Sequence, residues 1–224
     1  GYFTSHGLGF LMSYAPSTFH AGTGEDFFLK EGFLTGMAPI ISARYDIPAF
    51  DGSDGTALTI TNSVAKAGAT GAESWAGWNL GATYTKLLIT TYVHSCPANG
   101  LGVGAKVDVL PVGVIKPATY QARFNIYSYN SIGKYTADPG SSFSSIASTT
   151  SIYQKQEFVA AVWGMALYLD GTSNVQKTFI KSGTAEWFPV LTTGDSDHSS
   201  FQSVYLRHQG DDARYICPIM VWGS

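Results

Sequence analysis

Charged residues are scarce in this chain, and their scarcity excludes several kinds of partner. Only 13% of the 224 residues are charged, about half the share in an average soluble domain. The 13 basic and 16 acidic residues give a net charge of −3. No basic surface of the kind that binds nucleic acid or an anionic membrane is therefore expected. The apolar runs are also shorter than the roughly 20 residues that a membrane-spanning helix needs.

Cysteine is nearly absent as well. Cys96 and Cys217 have no second thiol nearby in the sequence, which argues against a Cys-x-x-Cys zinc or redox motif. Two alternatives stay open for this pair. They are either free, partly buried thiols or the two halves of a disulfide between neighbouring strands.

Glycine and aromatic residues are, by contrast, abundant. The chain has 25 glycines, and 14% of its residues are Phe, Trp or Tyr. With so few charges, the surface must be covered by Ser, Thr, Asn, Gly and Tyr, and such a surface resists association less than one of mixed charge. The composition predicts contacts with further copies of the chain or with other proteins.

Residues 157–171, EFVAAVWGMALYLDG, carry the strongest strand signal. Read with a period of two, residues 158–163 place apolar side chains on both faces, which predicts a strand buried on both sides. Asp170-Gly171 then supplies the positive-φ residue expected of a tight hairpin turn.

Short strands bounded by turn residues fill most of the remaining chain, and no helix of ordinary length is expected after Gly36. Residues 63–80 and 130–151 are predicted to be loops, and residues 97–104 a turn. The pattern predicts an all-β protein, a two-sheet antiparallel β-sandwich of the jelly-roll type with an N-terminal extension. The further predicted strands are 39–45, 57–62, 83–94, 107–115, 121–129, 175–181, 186–191, 201–208 and 214–222.

Two motifs resemble the laminin G-like domains of the concanavalin A-like superfamily. One is Trp163 followed by residues 167–171, LYLDG, and the other is residues 49–60, AFDGSDGTALTI, which look like the opening Phe-Asp-Gly strand pair of those domains. The resemblance implies a laminin G-like jelly roll at residues 47–224. Residues 1–46 are then an N-terminal arm or assembly segment.

The predicted arm is rich in Phe and Tyr and has no sustained period. A short helix from Gly24 to Phe33 fits the sequence, although its caps are poor. The aromatic rings of an arm must be buried somewhere, because exposed apolar surface is unfavourable. Both alternatives stay open: the rings pack on their own sandwich or on a partner.

Aromatic residues beside short polar ones are the candidate glycan-binding residues. Rings pack against the CH faces of a sugar, while amides and carboxylates bind its hydroxyl groups. For the two tryptophans the alternative is packing inside the sandwich or on a neighbour. The candidates are Trp75, Trp78, Asn79, Tyr127, Tyr129 and Asn130.

The resemblance also implies a calcium site, because laminin G-like domains often carry this ion at the rim of the sandwich. Asp195 and Asp197 lie in a segment where carboxylate and carbonyl oxygens would bind it. The alternative is that these aspartates, like Asp51 and Asp54, only accept hydrogen bonds from turn backbone. No other cofactor is expected.

Catalytic patterns are missing. Retaining glucanases of the same superfamily carry the carboxylate pattern Glu-x-Asp-x-x-Glu on one strand, and it does not occur here. A Gly-x-Ser-x-Gly nucleophile motif does not occur either. We therefore predict that the protein is not an enzyme.

These expectations combine into one hypothesis, a non-catalytic structural or adhesion module at an extracellular or virion surface. A phage decoration, fibre or tail component is an example. Its expected partners are further copies or other assembly proteins, reached through the arm, and glycans. A carbohydrate-binding lectin module of a secreted protein is the alternative, and a glycoside hydrolase is less favoured.

Overall fold

The computed structural model describes the framework of a two-sheet sandwich. It describes residues 23–43, 50–53, 59–61, 64–66, 73–94, 101–110, 122–127, 131–135, 144–148, 162–182, 187–193, 199–209 and 214–224. Their elements are helix α1 (Thr23–Lys30) and strands β1 (Ala38–Ala43), β2 (Gly52–Ser53), β3 (Thr59–Thr61), β4 (Val64–Lys66), β5 (Glu73–Tyr84), β6 (Lys86–His94), β7 (Leu101–Lys106), β8 (Ala122–Tyr127), β9 (Ser131–Tyr135), β10 (Ser144–Ser148), β11 (Val162–Asp170), β12 (Val175–Ser182), β13 (Phe188–Thr193), β14 (Phe201–Gln209) and β15 (Arg214–Gly223).

The strands form two antiparallel sheets, as the sequence predicted. The larger sheet has eight strands in the order β13-β12-β11-β6-β15-β4-β3, and β1 also pairs with β15. The smaller sheet has seven strands in the order β10-β9-β8-β7-β14-β5-β2. The chain passes from the smaller sheet to the larger one between β5 and β6, through Thr85 alone. No helix among the described residues is long and apolar enough to cross a membrane.

Residues 165–169 form part of strand β11, which confirms that this part of the segment is extended. The side chains of residues 158–163, on which the prediction of two-sided burial rested, lie outside the described part of the chain, so that prediction stays a prediction. Leu167 and Leu169 pack in the core between the sheets. Ala166 and Tyr168 belong to a second cluster on the outer face of the larger sheet. Since β11 pairs with β12 on one side and β6 on the other, its backbone groups are satisfied as well. The side chain of Trp163 lies outside the described part of the chain.

The hairpin that follows β11 differs from the prediction in its turn. Residues 171–174 form the turn, and its left-handed residue is Asn174, with φ 56°, instead of Gly171. Glycine at position 171 is required for another reason. A Cβ there would collide with the backbone carbonyl oxygen of Ser199, so the turn packs closely against that segment.

The carboxylate of Asp170 closes this hairpin and joins it to β6. Its Oδ1 accepts hydrogen bonds from the backbone N–H groups of Thr172 at 2.9 Å and Ser173 at 3.1 Å. Its Oδ2 lies 3.3 Å from Nζ of Lys86. Burial alone would raise the pKa of this carboxyl, but the hydrogen bonds from Ser173 and the interaction with Lys86 outweigh it. The pKa of Asp170 therefore lies below its ordinary value of 3.8.

We expect this carboxylate to stabilise the fold at neutral pH and not in acid. Because its pKa is lower in the folded chain, its contribution is complete above the unfolded-state pKa and is lost as the pH falls through the folded-state pKa. Asp170→Ala should lower the free energy of unfolding at pH 7 by about 1–2 kcal/mol. Urea unfolding of both proteins at pH 7 and at about pH 3 measures the effect, which should shrink in acid. An equal difference at the two pH values would contradict the assignment.

Part of the predicted arm packs on the outer face of the larger sheet. Phe28 is fully buried, with its ring centroid 5.2 Å from those of both Phe179 and Trp187. Phe33 contacts Tyr168 edge-on at 4.9 Å. We call this the outer aromatic cluster; its buried members are Phe28, Leu88, Tyr92, Ala166, Phe179, Trp187, Met220 and Trp222.

The aromatic rings of the arm were expected to pack either on their own sandwich or on a partner. Residues 27–37 pack on their own sandwich. Strand β1 also falls within the predicted arm, yet it pairs with β15 in the larger sheet. The predicted boundary at residue 46 thus does not coincide with an edge of the sheet. Residues 1–22 lie outside the described part, and the role of the arm in assembly stays a prediction.

Three segments that were predicted as loops or turns contain strands. Residues 63–80 include β4 and most of β5, residues 97–104 include the start of β7, and residues 130–151 include β9 and β10. Their Gly, Ala and Ser content obscured the strand pattern. The predicted strand at 107–115 is also wrong for its first four residues, which leave the sheet after β7. That departure creates the site described next.

Candidate functional site

Three polar side chains lie in register on the outer face of the smaller sheet. Ser203 of β14 is directly opposite Lys106 of β7 on one side and Asn79 of β5 on the other. Residues directly opposite in an antiparallel ladder share a face, and successive residues alternate between faces. Because Trp78 and Val204 point into the core between the sheets, these three residues face outward. We call Lys106, Ser203 and Asn79 the polar row.

The polar row holds the segment that follows β7. Ser203 Oγ donates a hydrogen bond to the backbone carbonyl oxygen of Asp108 at 2.7 Å. The side-chain amide of Asn79 binds Leu110 twice: Nδ2 donates to the carbonyl oxygen at 3.2 Å, and Oδ1 accepts from the N–H at 2.6 Å. Residues 107–110, which we call the strap, are therefore fastened across β14 and β5.

The glycine at position 77 makes room for the strap, because it has no side chain. Gly77 of β5 lies directly opposite Tyr205 of β14. A Cβ at Gly77 would come within 2.7 Å of Leu110 Cδ1 and 2.9 Å of Tyr205 Cβ, and would collide with the carbonyl oxygen of Val204. Leu110 can thus lie against the sheet, where it is only 4% exposed. Apolar packing of Leu110 and hydrogen bonds from side chains to the backbone of Asp108 and Leu110 therefore hold the strap on the sheet.

Asp51 continues the polar row to the edge of the sheet. Its backbone N–H donates to the carbonyl oxygen of Gly77 at 2.9 Å. Its Oδ2 accepts a hydrogen bond from the backbone N–H of Asn79 at 2.7 Å. One carboxylate oxygen of Asp51 therefore accepts a hydrogen bond from backbone, which is the role that the alternative interpretation of the aspartates predicted. The side chain is nevertheless exposed to solvent.

The strap presents a carboxylate and an apolar side chain to solvent. Asp108 is exposed, and Val109 is 54% exposed. Together with Asp51 and the half-buried Asn79, they combine hydrogen-bonding groups with a small apolar surface, which is the mixture that binding sites for small polar ligands use. Since the strap is already fixed, little conformational entropy would be lost on binding.

The structure places Trp78, a predicted glycan-binding residue, in the core. Its side chain is 2% exposed and lies between the sheets, with its ring centroid 4.9 Å from that of Phe50. The ring therefore has no exposed face on which a sugar could stack. Trp78 therefore packs inside the sandwich, which was the alternative to glycan binding. Asn79, the next residue, does belong to the site, where its amide fastens the strap.

The other predicted glycan-binding residues are placed only in part. Trp75 occupies the position of β5 opposite Arg207, and Tyr127 ends β8 opposite Ser131. The side chains of Trp75 and Tyr127 lie outside the described part of the chain, as do all atoms of Tyr129 and Asn130. Their role in glycan binding stays a prediction.

The calcium prediction is likewise not tested. Asp195 and Asp197 lie outside the described residues. Within the described ranges, no group of three or more His, Cys, Asp or Glu side chains is arranged to hold a metal ion. The pairing of Cys96, which also lies outside them, with Cys217 stays open too.

Sequence patterns did not reveal Lys106, Ser203 or the strap. Ser203 and Asp108 are 95 positions apart, and only the pairing of β7 with β14 brings them together. The alternation in residues 102–107, GVGAKV, was the available signal. Its Gly and Lys positions fall on one face, opposite Val103 and Ala105 in the core.

Comparisons with known proteins agree with the architecture. No protein-family model matches the sequence, and no curated protein matches it. The exoplasmic/lumenal domain of VIP36 in its Ca2+/Man-bound form is similar in structure, with a TM-score of 0.54 at 10% identity, over 80% of this chain and 84% of that one. The carbohydrate-binding module CBM66 from Bacillus subtilis gives a TM-score of 0.52 at 12% identity, over 85% of this chain and 96% of that one.

A sialidase structure is also similar over 73% of this chain, at 8% identity and a TM-score of 0.48, but the match spans only 16% of the sialidase chain. The two-sheet topology and the likeness to VIP36 and CBM66 define the class of fold. The protein has the two-sheet antiparallel β-sandwich fold of these structures, which is the fold class that the sequence predicted.

Proposed function

We propose that the protein is a non-catalytic recognition module that binds a glycan at the strap, within an extracellular or virion-surface assembly. The observation that carries the proposal is the fixed strap itself. It is a preformed backbone on which Asp108 and Val109 face solvent beside Asp51 and Asn79. The names of the similar structures, a carbohydrate-binding module and a Man-bound domain, support the same ligand class.

The chemistry of a sugar fits these groups. The carboxylates of Asp51 and Asp108 accept hydrogen bonds from sugar hydroxyl groups, and such charge-assisted bonds are stronger than neutral ones. Asn79 Nδ2 has two N–H groups, of which one is used by the carbonyl oxygen of Leu110. The methyl groups of Val109 offer an apolar contact for the CH groups of a pyranose ring.

Glycan binding is expected to depend on Asp51 and Val109. The wild-type chain should bind at least one glycan on an array. Asp51→Asn keeps an oxygen for the N–H of Asn79 and removes the charge, and it should weaken binding by about tenfold through loss of a charge-assisted hydrogen bond. Val109→Ser should weaken binding through loss of the apolar contact.

Asp26→Asn is the matched control, because Asp26 is an exposed aspartate on α1, which packs on the other sheet. It should leave the affinity unchanged. Silence of the wild-type chain on the array, or unaltered affinity in both Asp51→Asn and Val109→Ser, would contradict the proposal.

The assembly context rests on composition. With only 13% charged residues, the surface has little charge to oppose self-association. We expect light scattering to show oligomers whose population rises with protein concentration, as a phage decoration, fibre or tail component would. A monomer at every concentration would favour the alternative, a lectin module of a secreted protein with the same site.

A further inference from the structure

Residues 27–37, which we call the docked arm, form a segment with its own backbone hydrogen bonds. Six of its N–H groups donate to carbonyl oxygens of the same segment. It contacts the larger sheet through its rings: the centroids of Phe28 and Phe33 each lie 5.2 Å from that of Phe179. Such a segment keeps these hydrogen bonds on any surface that offers the same apolar contacts.

A four-residue turn joins the docked arm to β1. The N–H of Met37 donates to the carbonyl oxygen of Leu34 at 3.0 Å, and Gly36, the third residue of the turn, has φ 76°. A positive φ at the third position is typical of a type II turn and favours glycine. A Cβ at Gly36 would meet no atom of the described residues within 4 Å. The backbone conformation of the turn is therefore what favours glycine there.

The surface beneath the docked arm is apolar. Its buried side chains include Leu88, Phe179, Met220 and Trp222. Loss of the arm would expose them to water, which is unfavourable. An identical arm from a second copy has the same rings and therefore fits the same surface. Reciprocal exchange would rebuild these contacts in both copies, and its main cost would be the entropy of association.

We infer that the docked arm exchanges between copies, so that the arm of one copy covers the larger sheet of another. This inference rests on the proposed assembly and names the contact that forms it. Opening of the turn at Gly36 releases the arm, and reciprocal exchange closes a dimer. Within one chain the arm has a high effective concentration at its own sheet. The closed monomer therefore predominates in dilute solution, and the dimer grows with protein concentration.

Exchange joins the copies through their larger sheets and leaves both straps open. The strap is fastened to the outer face of the smaller sheet, whereas the docked arm covers the outer face of the larger sheet. An exchanged dimer would thus present two of the proposed glycan sites. Such a dimer would bind a surface with many glycans more strongly than a monomer, without any new contact at either site.

Crosslinking of isotope-mixed samples identifies which copy an arm covers. Lys30 is exposed on α1, and Lys177 Nζ lies 5.1 Å from the ring centroid of Phe33, so an amine-reactive reagent can join the arm to the sheet beneath it. Unlabelled and isotopically labelled wild-type chains are incubated together in equal amounts and then crosslinked. Mass spectrometry of the Lys30–Lys177 pairs should show single-isotope pairs in dilute solution. Mixed pairs should appear at high concentration, in the dimer fraction.

Two glycine variants test the turn by light scattering. Gly36→Ala should raise the dimerisation constant at least about tenfold, because alanine disfavours the left-handed conformation and both turns open on exchange. Gly81→Ala is the matched control. Gly81 of β5 also has φ 76°, and a Cβ there would likewise meet no described atom within 4 Å. It imposes the same strain away from the arm and should leave the dimerisation constant unchanged.

The outcomes separate arm exchange from the proposed assembly. Dimers that contain single-isotope Lys30–Lys177 pairs alone would show that the copies associate through another surface. That result would overturn arm exchange and leave the assembly standing. Equal dimerisation constants for Gly36→Ala and Gly81→Ala would overturn the role of the turn. A monomer at every concentration, in the wild type and in Gly36→Ala, would overturn both the exchange and the assembly.

Discussion

Phe28→Ala should lower the free energy of unfolding by about 3–5 kcal/mol. Phe28 is fully buried, and its ring contacts Phe27, Phe33, Phe179 and Trp187 at centroid distances of 5.1, 6.0, 5.2 and 5.2 Å. Removing the ring leaves a cavity in the outer aromatic cluster, beneath the segment that covers the larger sheet. Urea unfolding followed by tryptophan fluorescence measures the change.

Leu29→Ala is the matched control, because it changes the next residue of the same helix, where the side chain is 63% exposed. It should alter stability by less than about 0.5 kcal/mol. Trypsin cleavage after Lys30 gives a second readout, since local release of α1 would expose this bond in Phe28→Ala. Equal stability and equal cleavage in the two variants would show that α1 does not dock on the sheet.

Trp78→Ala should also destabilise the protein by about 3–5 kcal/mol. The indole fills the space between the sheets beside Phe50, and the side chain is 2% exposed. The loss should appear in Tm and in urea unfolding. It should appear without any glycan present, since the role of this ring is packing.

Trp78→Phe separates packing from recognition. A phenyl ring retains much of the buried area, so this variant should fold with a smaller loss of stability and bind glycans as the wild type does. The assignment would be contradicted if Trp78→Ala left Tm unchanged, or if Trp78→Phe lost glycan binding while remaining folded.

The sandwich itself could be predicted from local pattern. The apolar segment at residues 157–171 predicted extended chain, and its described part, β11, is a strand inside the larger sheet with Leu167 and Leu169 buried on one face and Ala166 on the other. The prediction failed where glycine weakened the pattern. Residues 73–80 of β5 were predicted as part of a loop, because glycines such as Gly77 weaken a strand pattern. In the structure Gly77 lies inside the strand, where the close approach of Leu110 and Val204 leaves no room for a side chain.

Of the predicted glycan-binding residues whose side chains the structure describes, Trp78 and Asn79, only Asn79 lies at the candidate site. Asn79 was selected because it follows a tryptophan, and the structure gives it another use, since its amide fastens the strap. Trp78 was selected for an exposed ring and is buried. A sequence pattern cannot distinguish the two uses of a tryptophan, because an aromatic residue in a strand suits the core and a sugar-binding surface equally.

The sequence by itself determined the class of protein: alternating apolar residues and frequent turn residues require extended strands, and burying both faces of β11 requires covering layers. Only the tertiary structure brings the residues of the candidate site together. Lys106, Ser203 and Asn79 are distant in the chain and become neighbours through the register of β7, β14 and β5. Strand pairing sets that register over the whole sheet, so no local stretch of sequence contains it.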